Sequence, residues 1–359
     1  MNSKSITEIK RYPFRKNDPL QGWNSADVLI LQHMKQMDLR GKRILIINDQ
    51  FGALSCGMEG SDCVTYTDSY VSMMSICHNS NQRIQPINLL TAISGIYDYV
   101  LIQIPKNMSF FEDILCHLTH HLHSQSKVIC GSMIKHLAPT SFDLLNKYIG
   151  KTSTSLAEKK ARLVFADFEK TKVHSPYPVS VKIESFETPF INNSNLFSRD
   201  KLDIGTRFFL EHIPKGDFKS ILDLGCANGI IGIKAKMLNP AARILFSDDS
   251  AMAIESSKIN YRNNFKDEAD YFWTNCFEGQ AKNSLDLVLC NPPFHQENTI
   301  GDFISWQMFQ DAYDALKIGG TLRVIGNSHL GYQIKLKKKF GNSTIVATNS
   351  KFIICDARK

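Results

Sequence analysis

The sequence predicts two tandem Rossmann-like copies, each a doubly wound α/β domain around a mainly parallel sheet. Three observations carry this. Short apolar strands alternate with amphipathic helices, the same order of punctuation occurs twice, and one strand ends abruptly on Asn-Pro-Pro-Phe. The chain has 359 residues, 43% hydrophobic and 21% charged, so each half can bury a core of its own.

The C-terminal half shows the alternation clearly. KSILDLGCANGIIGIKAKMLN (219–239) reads as a strand, a Gly-rich turn and a helix. ARILFSDDS (242–250) is a strand ending on acids, and AMAIESSKINYRNN (251–264) is a helix. ADYFWTNCF (269–277) and SLDLVLC (284–290) are further strands, the second stopped by two prolines that cannot donate to a ladder. A helix over 304–317 then meets a Gly-Gly break, GTLRVIGN (320–327) supplies another strand, and YQIKLKKKFG (332–341) is a basic helix. STIVATNSKFIICDA (343–357) is two strand segments around a polar turn, an end that often adds an antiparallel strand to a parallel sheet.

The N-terminal half carries a fainter copy. KRILIINDQFGALSC (42–56) parallels 219–233, VTYTDSY (64–70) parallels LFSDDSA (245–251), and IYDYVLIQIPKN (96–107) parallels 284–295. In that register Ile46 replaces Asp223, Asn48 replaces Gly225 and Gln103-Ile104-Pro105 replaces Asn291-Pro292-Pro293, while Gly52 keeps the place of Gly229. Internal duplication, with the first copy stripped of its ligand chemistry, accounts for three ordered correspondences better than chance does. The Pro-, Ser- and Asn-rich stretch 168–202 separates the copies, giving domains 1–175 and 176–359.

The turn LDLGCANG (222–229) lacks the Lys-Ser/Thr of a P-loop. Asp223, two residues before the first glycine, would repel a pyrophosphate but suits a zwitterionic cofactor with an ammonium and a sulfonium: S-adenosylmethionine. Gly225 and Gly229 let its amino-acid tail approach the backbone. Asp248 can accept the ribose hydroxyls, and Asn275 can meet the adenine edge. A helix cap is the plainer role for an acid after a strand, and Asp249 or Ser250 equally supplies it. The ordered set of Asp223, Gly225, Gly229 and Asp248 favours the cofactor.

Asn291 and Phe294 fall at the carboxyl edge of the sheet, where open α/β sheets bind ligands. An exocyclic amine on a base is a poor nucleophile because its lone pair is delocalised. Acceptors at the Asn291 side chain and the Pro292 carbonyl would take its N–H groups and turn the lone pair toward the methyl group for in-line transfer. Pro293 stiffens the turn and Phe294 would stack on the ring. His295 reads more simply as a surface or capping residue than as a base. The motif alone admits adenine N6, cytosine N4, guanine N2 or a glutamine amide.

FSRDKLDIGTRFFL (197–210), DLGCANGIIG (223–232), NPPFHQ (291–296) and the ending at 335–357 together resemble the bacterial ribosomal RNA guanine-N2 methyltransferases. In that family a degenerate methyltransferase-like domain precedes an active one. DPLQGWNSADVLIL (18–31), NDQFGALSC (48–56), LNKYIG (145–150) and TSLAEKKARL (154–163) resemble its large-subunit branch. The resemblance implies a class I SAM methyltransferase fold and methylation of N2 of a guanine in 23S ribosomal RNA, guanine 1835 of that molecule. It implies cofactor contacts at Asp223, Gly225, Asn228, Gly229, Asp248 and Asn275, catalysis at Asn291, Pro292, Pro293 and Phe294, and a site lining at Phe197 and Arg199. Ala227 stands where a second glycine is common. A small-subunit rRNA enzyme, a protein glutamine-N5 methyltransferase and a non-catalytic assembly factor are the alternatives.

The net charge of +7 is compatible with an RNA partner, and 10–16, 158–162 and 335–340 are basic candidates for holding it. The degenerate copy would serve as an RNA-docking or folding scaffold. Nine cysteines without a CxxC pair, and no apolar leader or spanning stretch, suggest reduced thiols in a cytoplasmic protein. His117 and His121 have a zinc-compatible helical spacing but no fitting third ligand, so no metal is expected.

Overall fold

The computed structural model describes residues 5–16, 18–293 and 299–359, with 299–302 described by their backbone alone. The chain forms two compact units, Met1–Tyr177 and Pro178–Lys359.

In the first unit, helix α1 (Ser25–Met34) leads into β1 (Arg43–Ile47), α2 (Ala53–Gly57), β2 (Asp62–Tyr66), α3 (Tyr70–Asn79), β3 (Tyr97–Gln103), α4 (Met108–Leu118), β4 (Leu122–Met133), α5 (Pro139–Tyr148), β5 (Thr152–Thr154) and β6 (Ala161–Asp167). The sheet order is β2-β1-β3-β4-β6-β5, with β6 antiparallel to β4. In the second, a hairpin of β7 (Val179–Val181) and β8 (Phe190–Asn192) precedes α6 (Ile204–Leu210). There follow β9 (Ser220–Leu224), α7 (Ile230–Leu238), β10 (Arg243–Asp248), α8 (Ala251–Asn264), β11 (Asp270–Trp273) and β12 (Leu285–Cys290). Finally come α9 (Thr299–Ala315), β13 (Leu316–Asn327), α10 (Tyr332–Phe340), β14 (Thr344–Thr348) and β15 (Phe352–Arg358). Its order, β11-β10-β9-β12-β13-β15-β14, repeats that of the first sheet with one strand added.

Both faces of the central strands are buried, which is why they read as continuous apolar runs. Along β9 and β12, Ile221, Leu287 and Leu289 pack into one core layer, and Leu222, Leu224, Val288 and Cys290 into the other. In the first unit Ile44, Ile46 and Leu101 pack against Ile30 and Met34 of α1.

The duplication extends to individual contacts. Asn79 Nδ2 donates to the carbonyls of Lys10 and Phe51, both at 2.8 Å, and its Oδ1 accepts from Lys10 N–H. Asn260 does the same to Ile191 and Asn228, at 3.1 and 3.0 Å, with Ile191 N–H donating back. Ser75 Oγ accepts from Tyr12 N–H as Ser256 Oγ accepts from Asn193 N–H. Asp98 accepts from Arg43 N–H as Asp286 accepts from Ser220 N–H. Even the strand irregularity recurs: from 97 to 99 on β3 the partner advances from 122 to 127, and from 285 to 287 on β12 it advances from 316 to 321.

Two expectations are corrected. The Gly319-Gly320 pair does not end a helix at 317; β13 already begins at Leu316, and the glycines lie in its bulged stretch. Segment 10–16 is the counterpart of 191–197; its Tyr12 and Phe14 rings pack edge to face at 5.2 Å, and Phe14 lies on His78 of α3. His117 and His121 do not share a helix face, because α4 ends at Leu118; His117 faces Asp113 and His121 bonds the Gly95 carbonyl. None of the nine cysteines is in a disulfide. Among the described residues, no helix is long and apolar enough to cross a membrane.

Candidate functional site

The turn after β9 is built from left-handed residues. Gly225 (φ 75°), Ala227 (φ 48°) and Gly229 (φ 81°) all take positive φ. A Cβ on Gly229 would stand 2.9 Å from Ser257 Cβ, so both space and conformation demand glycine. Ala227 holds a conformation that costs an L-residue roughly 1–2 kcal/mol. Its N–H donates to Asp248 Oδ2 at 2.9 Å, an anchor that offsets the strain. Gly225 and Cys226 N–H both donate to the Ser247 carbonyl, and Thr274 N–H donates to that of Asp248. The turn, Asp248 and the segment leading to Asn275 therefore meet at the carboxyl edge of the sheet.

Asp223 is fully buried in β9. One oxygen accepts from Gly232 N–H at 2.8 Å, and the other is buried without a partner among the described residues. Burial pushes its pKa up to about 8, the charge of Asp248 adds to the rise, and the Gly232 bond opposes it. A Cβ on Gly232 would stand 2.4 Å from Phe246, so the helix approaches the strand only through a glycine. The first unit reaches the same end differently. Ser55 occupies the place of Gly232 and Thr65 that of Phe246, while buried Asp49 accepts from both the N–H and the hydroxyl of Ser55 at 2.8 Å.

Asn228 turns toward the protein. Its Nδ2 donates to Asn192 Oδ1 at 3.1 Å, and Asn192 in turn donates to the Arg199 carbonyl at 2.7 Å. With Asn260 gripping the Asn228 carbonyl, asparagines link the segment before β9 to the turn. Asn275 is buried and donates to Glu278 at 3.2 Å. The Arg199 guanidinium pairs with Asp200 at 2.7 Å, and Phe197 is half exposed.

Asn291 follows Cys290, which lies opposite Leu224, so it stands beside the start of the glycine turn. Its Nδ2 donates to Thr206 Oγ1 at 3.1 Å, whereas its Oδ1 is buried with no partner among the described residues. Pro292 is buried and Pro293 exposed; Phe294 and His295 lie outside the described residues.

A carboxyl oxygen and an amide oxygen, both buried without a partner among the described residues at one sheet edge, are costly unless a ligand meets them. Asp223 Oδ1 suits a cationic ligand and Asn291 Oδ1 an N–H donor. The tight left-handed turn at that edge carries glycine at 225 and 229. These features fit S-adenosylmethionine and a planar amine.

Sequence reasoning missed Thr206, Asn192, Asn193 and Asn260. The signal for Asn260 was present, since SICHN (75–79) and SSKIN (256–260) place Asn at the same point of the two repeats.

Residues 2–170 match the family described as RLMG N-terminal domain, and residues 187–356 match the Methyltransferase small domain family. The chain is 39% identical to the ribosomal RNA large subunit methyltransferase G of Psychromonas ingrahamii, covering 98% of this chain and 96% of that one. It is 41% identical to the protein of the same name from Vibrio vulnificus, covering 97% and 96%. Among solved structures, the 16S rRNA N2 methyltransferase RsmC of T. thermophilus, in complex with AdoMet and guanosine, superposes with a TM-score of 0.79. That match has 20% identity and covers 94% of this chain and 92% of the other, a likeness of fold.

Proposed function

The chain belongs to the ribosomal RNA large subunit methyltransferase G family and is a SAM-dependent rRNA methyltransferase, and from that premise we propose that its C-terminal unit methylates the exocyclic N2 amine of a guanine in 23S ribosomal RNA. The observation that carries the reading is the buried Oδ1 of Asn291, an acceptor without a partner among the described residues.

When bound, S-adenosylmethionine supplies an electrophilic methyl group. Asp223, the backbone of Gly225, Asn228 and Gly229, Asp248 and Asn275 would hold it. The guanine amine is presented by this chain's own groups. Asn291 Oδ1 and the Pro292 carbonyl accept its two N–H bonds, pulling the nitrogen toward a pyramidal shape and meeting the positive charge that develops there. Buried Pro292 and the proline after it keep these acceptors from turning away. The base must leave its stack to reach this edge.

Lysines lie on aromatic faces around α9 and α10: Lys338 over Trp306 at 5.7 Å, and Lys339 and Lys359 over Tyr313 at 4.6 and 4.8 Å. Helix α10 carries four lysines and no acid. This mosaic supports a role in holding RNA phosphates. The N-terminal unit, which has the frame without the chemistry, fits an RNA-docking or folding scaffold.

Asn291→Ala tests the reading. Turnover on ribosomal RNA should fall about 10²-fold or more, while affinity for S-adenosylmethionine stays within about twofold. Unchanged turnover would remove Asn291 from the reaction.

A further inference from the structure

An asparagine presents either its oxygen or its nitrogen to a substrate, and the two choices have opposite consequences. Oxygen toward an exocyclic amine accepts an N–H; nitrogen toward it sets donor against donor. In this fold the amide nitrogen is the atom that meets Thr206. We propose that Thr206 is a positioning residue for methyl transfer, its hydroxyl oxygen holding the Asn291 amide nitrogen so that Oδ1 faces the amine. The inference rests on the reading of Asn291 as the amine's acceptor.

The geometry supports it at each point. The Nδ2–Oγ1 distance is 3.1 Å, and Oδ1 on the other side of the same amide is buried without a partner among the described residues. Thr206 is itself fixed. It is 7% exposed, it is the third residue of α6, and its N–H donates to the helix cap Asp203 at 3.0 Å. The neighbouring Gly205 packs so closely that a Cβ there would stand 3.0 Å from Phe352 of β15, so this turn of helix has no room to shift toward that strand.

The N-terminal unit supplies an independent observation. Its counterpart of Asn291 is Gln103, whose amide nitrogen donates to Asp27, the third residue of α1 after the cap Asn24. The anchoring of a strand-end amide by this helix position is thus present in both copies. In the first copy the longer Gln103 is held by a carboxylate. In the second a shorter amide meets a hydroxyl, and its oxygen is left for a substrate.

The test compares Thr206→Val and Thr206→Ser in the full chain, alone and combined with Asn291→Ala, by single-turnover methylation of unmodified ribosomal RNA and by titration with S-adenosylmethionine. Loss of one neutral hydrogen bond predicts that Thr206→Val slows the chemical step roughly tenfold with unchanged cofactor affinity. Thr206→Ser should restore most of the rate. In the Asn291→Ala background the valine change should have no further effect, because Thr206 acts only through that amide. Thr206→Ala carries the same expectation should the valine variant misfold. A full-rate valine variant overturns the proposal, as does an equal tenfold loss in the Asn291→Ala background, which would mark a structural role. Full activity of Asn291→Ala alone would overturn the underlying reading instead.

Discussion

Replacing Asp223 by Asn separates what this carboxylate does to the fold from what it does for the cofactor. The side chain is fully buried, with one oxygen on Gly232 N–H and the other unpaired among the described residues. Burial, reinforced by the Asp248 charge, pushes its pKa from 3.8 to about 8. The folded chain therefore holds this proton more tightly than the unfolded chain does. Between those two values the unfolded state ionises first, so the group's contribution to stability is full below about pH 4 and is lost as pH rises toward about 8. At pH 8.5 the folded state carries the desolvation cost of the charge, on the order of 6 kcal/mol at most. Asn is neutral throughout and still accepts from Gly232 N–H, though its buried amide nitrogen costs about 1–3 kcal/mol. The net expectation for the ligand-free chain at pH 8.5 is a gain of about 2 kcal/mol or more for Asp223→Asn in the catalytic unit, shrinking toward zero or below by pH 5. On the proposed reading cofactor binding should be lost with it, since an amide cannot ionise to meet the ammonium. Calorimetric melting at the two pH values, following the transition that S-adenosylmethionine shifts in the wild type, together with titration of the cofactor, reads both quantities. A variant that gains nothing at pH 8.5 relative to pH 5, or that binds the cofactor as tightly as the wild type, refutes this account of Asp223.

Further substitutions test the turn and the clamp around it. Gly232→Ala would place a methyl 2.4 Å from Phe246, which is stacked on Tyr271 at 5.4 Å and cannot retreat, so a loss of about 1–3 kcal/mol is expected. Adding Phe246→Thr, the pairing seen at Ser55 and Thr65, should recover part of that loss as a coupling of about 1 kcal/mol in a double-mutant cycle of denaturant unfolding. Asn79→Ala and Asn260→Ala each remove three hydrogen bonds to backbone and should each cost about 2–3 kcal/mol. Only the second, which frees the Asn228 carbonyl in the cofactor turn, should also weaken S-adenosylmethionine in a binding titration.

The elements of the site that were legible in the sequence are those where backbone chemistry leaves a mark. Gly225 and Gly229 announce left-handed backbone, Asp223 is an acid inside an apolar strand, and Pro292-Pro293 stops a ladder. The supporting residues leave no such mark. Thr206 and Asn260 lie within helices, where a polar residue is as consistent with solvent as with a buried bond, and only tertiary packing decides. The side chain of Asn228 bonds Asn192, a partner 36 residues earlier that no local pattern points to. Strand β13 was misjudged at its start for a related reason. Gly319-Gly320 looks like a helix stop on local grounds, while pairing of Leu316 with Leu285 draws the preceding residues into the sheet. Comparing the two copies residue by residue recovers much of this, because Asn79 with Asn260 and Gln103 with Asn291 stand in register.

The most direct measurement is methyl transfer from labelled S-adenosylmethionine to unmodified 23S and 16S ribosomal RNA, each protein-free and assembled, with nucleoside analysis of the product. The account predicts N2-methylguanosine in 23S RNA and none in 16S RNA. Label in 16S RNA, in N6-methyladenosine or in protein would contradict it.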